Sequence, residues 1–86
     1  MTEAQATILA RMAAGSTLAQ SMIGDRLWSL LEDPFTVFND VSPRVLLADG
    51  LIALAQHGSV KADRASTYRL TSAGQAALWK WRLRGR

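Results

Sequence analysis

The sequence predicts an α+β fold for one small domain: about three helices, a two-stranded arm and, as one option, an extra hairpin near the N-terminus. Three observations predict it. Residues 3–14 carry helical apolar spacing between two recognisable end signals. Residues 42–82 read in order as helix, strand, polar loop, strand and helix. The chain has 86 residues, 49% of them apolar and set in short groups between polar ones; that suffices for one modest core and no second domain.

The first helix is expected over residues 3–14. Thr2 can cap it, and Gln5 completes a capping box. Ile8, Leu9, Met12 and Ala13 recur at helical spacing, and Gly15 suits the left-handed residue after a helix end. Residues 16–41 admit three readings. The preferred one is a hairpin of Thr17–Ile23 and Arg26–Leu31 joined by a Gly24-Asp25 turn. The others are a helix capped by Asp25 with Leu27, Leu30 and Leu31 on one face, or a short helix over Thr17–Ile23. Asp33-Pro34 ends that segment, and Phe35, Val37 and Phe38 suggest a short extended piece packing on the core.

Ser42-Pro43 reads as a helix start, with Ser as cap and Pro at the first helical position, where its missing N–H costs nothing. Gly50 stops that helix, and Leu51–Ala55 follows as a strand; the rival is one helix running through Gly50 to Gln56, at a cost of ~1 kcal/mol for the internal glycine. Residues 57–66 are polar and form the tip of the arm. Thr67–Leu70 alternates, with Tyr68 and Leu70 facing one way and Thr67 and Arg69 the other. Thr71 caps the last helix, on which Ala73, Ala77 and Trp81 share a face beside Leu78. Gly74, near its start, lets another backbone come close.

Charge is unevenly distributed. Residues 1–60 hold three arginines against six carboxylates; residues 61–86 hold seven cations against one carboxylate. A basic C-terminal third attracts polyanions, although such charges also serve simple solvation. No apolar run nears the ~18 residues of a membrane span, and no basic segment precedes an apolar stretch at the N-terminus, so neither membrane nor secretion is expected. The absence of cysteine fits a cytoplasmic protein and removes thiolate chemistry.

The segments Asp49-Gly50-Leu51-Ile52 and Tyr68-Arg69-Leu70-Thr71-Ser72-Ala73-Gly74, with the polar loop between them, resemble winged helix-turn-helix proteins. They are similar to MarR-like and PadR-like regulators and to small phage and prophage proteins. The resemblance covers residues 42–82 and implies a winged-helix domain with Ser42–Asp49 as recognition helix and Gln56–Ser66 as wing tip. It implies a non-catalytic protein that binds double-stranded DNA, as a dimer, in transcriptional regulation. The departure is that residues 16–41 stand where a short helix and tight turn are usual. The expected DNA contacts are Ser42 and Arg44 on the helix and Lys61, Arg64 and Arg69 on the wing. An ion pair of Arg44 with Asp40 is the plain alternative for that arginine. A second reading keeps the scaffold but makes it a protein-interaction module, such as a phage or prophage accessory protein that blocks or adapts a larger complex; the acidic first sixty residues favour it.

Other chemistry finds little footing. His57 is the only histidine and is expected to be a solvated loop residue; no metal set, nucleophile triad or phosphate-cradling glycine motif stands out, so neither cofactor nor catalysis is expected. Trp28 is expected in the core. Trp79 and Trp81 point to different faces of the last helix, so one packs inward and the other joins Lys80, Arg82 and Arg84 on a contact surface. Trp79, Trp81 and Arg82 are thus the candidate partner interface, for dimerisation or for another protein.

Overall fold

The computed structural model describes residues 1–24 and 26–84. The chain runs α1 (Glu3–Ala13), β1 (Leu18–Gln20), β2 (Trp28–Leu30), β3 (Val37–Phe38), α2 (Val41–Ala48), β4 (Ile52–Gln56), β5 (Ser66–Leu70) and α3 (Ser72–Arg84). The strands form one antiparallel sheet in the order β3-β2-β1-β5-β4. The α+β expectation holds at that level.

Local chemistry explains the helix ends. Thr2 and Gln5 exchange two hydrogen bonds, at 3.1 and 3.2 Å, and satisfy two N–H groups that the first turn of α1 leaves open. At the other end Gly15 takes φ +109, and the N–H of Gly15 and Ser16 close on the carbonyls of Met12 and Arg11. Gly50 repeats this after α2 at φ +73, with Gly50 and Leu51 donating to Leu47 and Leu46. That bonding settles the ambiguity in favour of a stop at Gly50 over a continuous helix.

Residues 17–31 take the hairpin, but with shorter strands and a longer connection than expected: β1 stops at Gln20, β2 starts at Trp28, and the Ser21 N–H closes on the Leu27 carbonyl at 3.0 Å. Leu18 pairs with both Leu30 and Tyr68, and Gln20 with both Trp28 and Ser66, so the strands place Leu18, Trp28, Leu30 and Tyr68 on the sheet face under the helices. A helix over 27–31 would scatter Trp28 and Leu30 to different sides. The Asp25 of the expected turn lies outside the described residues, as do Gly85 and Arg86.

Several details differ from the sequence reading. α2 begins at Val41 with Asp40 at its cap position, and it is Asn39 Oδ1 that accepts the Ser42 N–H, at 2.7 Å. Pro43 is the third helical residue, still within the turn whose N–H groups lack helical partners. The first arm strand is shifted by one residue, to Ile52–Gln56, and the second starts one residue earlier, as Ser66–Leu70. Phe38, opposite Trp28, packs on the core, but Phe35 is 94% exposed. The turn closed by Thr36 N–H on the Asp33 carbonyl puts Phe35 at its corner, pointing outward. On α3 the buried residues are Gly74 and Leu78, while Ala73 is exposed, so the packed face is rotated from the expected one.

The core joins Ile8, Leu9 and Met12 of α1 to Leu18, Trp28, Leu46, Ile52, Tyr68 and Leu78. Trp28 and Tyr68 rings lie 5.0 Å apart at their centroids, and the Tyr68 hydroxyl donates to Gln20 Oε1 at 3.3 Å; burial pushes the Tyr68 ionisation up.

Glu32 ties the open end of the first hairpin. The Thr17 N–H donates to both of its carboxylate oxygens, at 3.0 and 2.9 Å. These backbone bonds, from Thr17 first and then from Glu32 itself, hold its pKa below the ordinary glutamate value. A depressed carboxyl contributes stability that is fully present above the unfolded-state pKa and is lost as pH falls through the folded one. Glu32→Gln is therefore expected to lower thermal stability modestly at neutral pH and to flatten the acid limb, so that the two proteins converge as pH falls below about 4. Melting curves of both proteins across that range check it; parallel acid limbs would refute the role.

Candidate nucleic-acid interface

Strand register decides which cations share a surface. β5 pairs with β1 through Gln20↔Ser66, so the turn between β1 and β2 lies beside the tip of the β4–β5 arm. Ser66 Oγ is 3.1 Å from Met22 Sδ and accepts the Gly58 N–H at 2.9 Å. Any side chain at Gly58 would collide with Met22 Cγ and the Ser66 nitrogen, so glycine permits this approach. Arg26, exposed at φ +52, belongs to this turn.

The arm continues past β4 and β5 through a bridge of Ser59 with Arg64, whose backbones exchange bonds of 2.8 and 2.9 Å. Lys61, Asp63 and Arg64 are exposed at its tip, with Asp63 turning the chain at φ +49. His57 is exposed on the same arm, as the sequence suggests.

The first turn of α2 reaches the same end of the sheet. β2 starts there with Trp28, β3 finishes there with Phe38, and the indole N–H of Trp28 donates to Asp40 Oδ1 at 3.0 Å. Arg44 stands one turn further on, with Nε 3.0 Å from Asp40 Oδ2. Both side chains are more than half exposed, and such a pair is worth about 0–1 kcal/mol, so Arg44 can leave it for a phosphate at little cost.

The structure thus brings Arg44, Lys61 and Arg64 to one end of the sheet and adds Arg26, which the sequence reading omitted. Only the pairing of β1 with β5, between residues far apart in sequence, places Arg26 there. Two of the expected contact residues lie apart from this group. Ser42 is only 6% exposed, because its position in the first turn of α2 faces the core side with Pro43. Arg69 is exposed, but it pairs with Ala53 near the start of the arm, about 16 Å along the strand from Arg64. It lies on the outer sheet face with Ala19, Ser29 and Thr67, not at the tip.

Outward-facing α2 residues also include Val41, Val45 and Leu47. These offer no hydrogen bond to base edges, so Arg44 is the only long polar side chain the helix presents. On α3 the two tryptophans divide as expected: Trp81 is half-buried against α1, while Trp79 is 63% exposed and Arg82 is exposed. Among the described residues no cluster of three metal-ligating side chains occurs, and no helix is long and apolar enough to cross a membrane. No family model, no curated protein and no solved structure matches this chain.

Proposed function

We propose that this chain is a non-catalytic, winged-helix-type DNA-binding domain, acting in transcriptional regulation, that grips the backbone with one end of its sheet. The reading assigns phosphate contacts to Lys61 and Arg64 on the wing, Arg26 on the neighbouring turn and Arg44 on α2. The observation that carries it is the placement of these four cations, from three segments, at the same end of the sheet, with Asp40 and Asp63 as the carboxylates of those segments among the described residues. Backbone contacts dominate in this picture, since α2 has little to read bases with.

Four neutralised phosphates give a salt slope of about −3.6 in log affinity against log salt. Fluorescence anisotropy with a labelled duplex at ~50 and ~200 mM salt measures it. Wild-type binding is expected to weaken steeply over that range. A Lys61→Ala/Arg64→Ala variant is expected to lose about two counterions from the slope, and Arg69→Ala to leave it unchanged. Absence of binding at low salt would reject the reading. The second reading, a protein-interaction module on this scaffold of the phage or prophage accessory kind, is favoured by the exposed Val41, Val45 and Leu47 on α2.

A further inference from the structure

α3 has apolar residues on two sides. Successive residues turn by about 100°, so Gly74, Leu78 and Trp81 form the side packed on α1, and Ala76, Trp79 and Leu83 form a second stripe facing solvent. The two apolar sides explain why α3 has no single hydrophobic face. Trp79 and Leu83 are one turn apart and both more than half exposed. Lys80 and Arg84 flank the stripe on one side, and Arg82 on the other. Beside it lies an open groove of about 490 Å³ lined by Met1, Ala77, Lys80, Trp81, Leu83 and Arg84. No carboxylate lines this groove, and none of the three cations forms an ion pair among the described residues.

We propose that this face of α3 docks an amphipathic helix of another protein, one whose apolar stripe is flanked by Asp and Glu. Trp79 and Leu83 meet the partner's apolar side chains, the groove receives one of them beside Trp81, and Lys80, Arg82 and Arg84 pair with its carboxylates. Charge selects this occupant. A second copy in a two-fold arrangement would set the cation-flanked stripe against itself, with no acid to offset it. A concave groove beside the ridge suits a side chain from a helix, whereas a membrane surface would leave it unfilled. The proposal is independent of DNA binding, which uses the other residues.

The test is anisotropy of a fluorescein-labelled helical peptide of about 18 residues, long enough to be helical, with leucines at i, i+4, i+7 and i+11 and glutamates beside them. Full-length chain is expected to bind it saturably with a Kd on the order of 10–100 μM. Trp79→Ala, and separately Lys80→Glu/Arg84→Glu, are expected to weaken it about tenfold while leaving the circular dichroism unchanged, as both sites are exposed. Lys61→Ala/Arg64→Ala is expected to bind the peptide like wild type, which separates this proposal from the DNA reading. Lack of saturation, or equal binding of a peptide with lysines in place of the glutamates, would overturn it. Co-sedimentation with phosphatidylserine vesicles that the peptide does not compete would overturn it in favour of a lipid surface. A dimer in sedimentation equilibrium that Trp79→Ala dissociates would overturn it in favour of a second copy.

Discussion

Trp28→Ala is expected to destabilise the domain by about 3–5 kcal/mol, as truncation of a buried large aromatic does. Trp28 is 2% exposed, belongs to the central cluster and touches three parts of the structure at once. Its ring tilts against Tyr68, its backbone pairs with Gln20 and Phe38, and its indole N–H holds the first turn of α2 through Asp40. A chain of this length has a total stability of roughly 4–13 kcal/mol, so the loss is a large fraction of the whole. Trp28→Phe keeps most of the volume and loses the bond to Asp40, which retains Arg44 as a partner; about 1–2 kcal/mol is expected. Urea unfolding followed by circular dichroism measures both. A loss under about 1.5 kcal/mol for the alanine variant would mean that the hairpin and α2 are not braced by this residue.

The second large effect concerns a residue with no side chain. In an ordinary helix Gly→Ala stabilises by up to about 1 kcal/mol. At Gly74 the sign is expected to reverse, to a loss of about 2–3 kcal/mol or more. A methyl group there would overlap the Leu51 carbonyl oxygen and come within 2.7 Å of Leu70 Cδ1. The obstacle is mainly backbone, which cannot turn away. The same junction is closed by the Thr71 N–H on the Leu51 carbonyl at 3.1 Å, the Thr71 hydroxyl on the Gly50 carbonyl at 2.7 Å, and the Gly74 N–H on Thr71 Oγ1 at 3.0 Å. Pushing α3 away to make room for alanine breaks this set together. Ala76→Gly, at an exposed position on the same helix, should cost only the propensity difference of about 1 kcal/mol. If Gly74→Ala proved neutral or stabilising in the same urea series, the close approach of α3 to the start of the arm would be wrong.

Much of this fold is legible where the signal is local. The capping box at Thr2 and Gln5, the glycine stops at Gly15 and Gly50, the alternation of Tyr68 with Arg69, and the Thr71 cap each depend on residues within one turn of one another. The close approach at Gly74 was readable for a related reason, since a glycine near a helix start serves no purpose of the helix itself. The α2 start was misplaced because Ser42-Pro43 carries the standard signal, whereas Asn39 supplies the bond.

The candidate site was half legible. Lys61 and Arg64 share a loop, so their proximity follows from sequence, and Arg44 was recognisable by its place near a helix start. Arg69 looked like their neighbour because it follows in the chain, but a strand extends by about 3.3 Å per residue and carries it to the other end of the arm. Ser42 looked exposed because serine is polar; its place on the helix turned it inward. Arg26 looked unrelated to the arm because nothing near it in sequence mentions β5.

The sequence by itself determined the class of the fold, the ends of α1, the start of α3, the stop of α2 and the basic arm, because caps, turns and alternation act over a few residues. Only the tertiary structure decided between the readings of residues 17–31 in favour of the hairpin, set β1 against β5, and put Arg26 at the same end of the sheet as the tip of the arm, with Arg69 toward the other end. The physical reason is that strand pairing is chosen by burial of whole faces against a shared core. Leu18 meets Leu30 and Tyr68 only once the chain has closed on itself, and no window along the sequence contains all three.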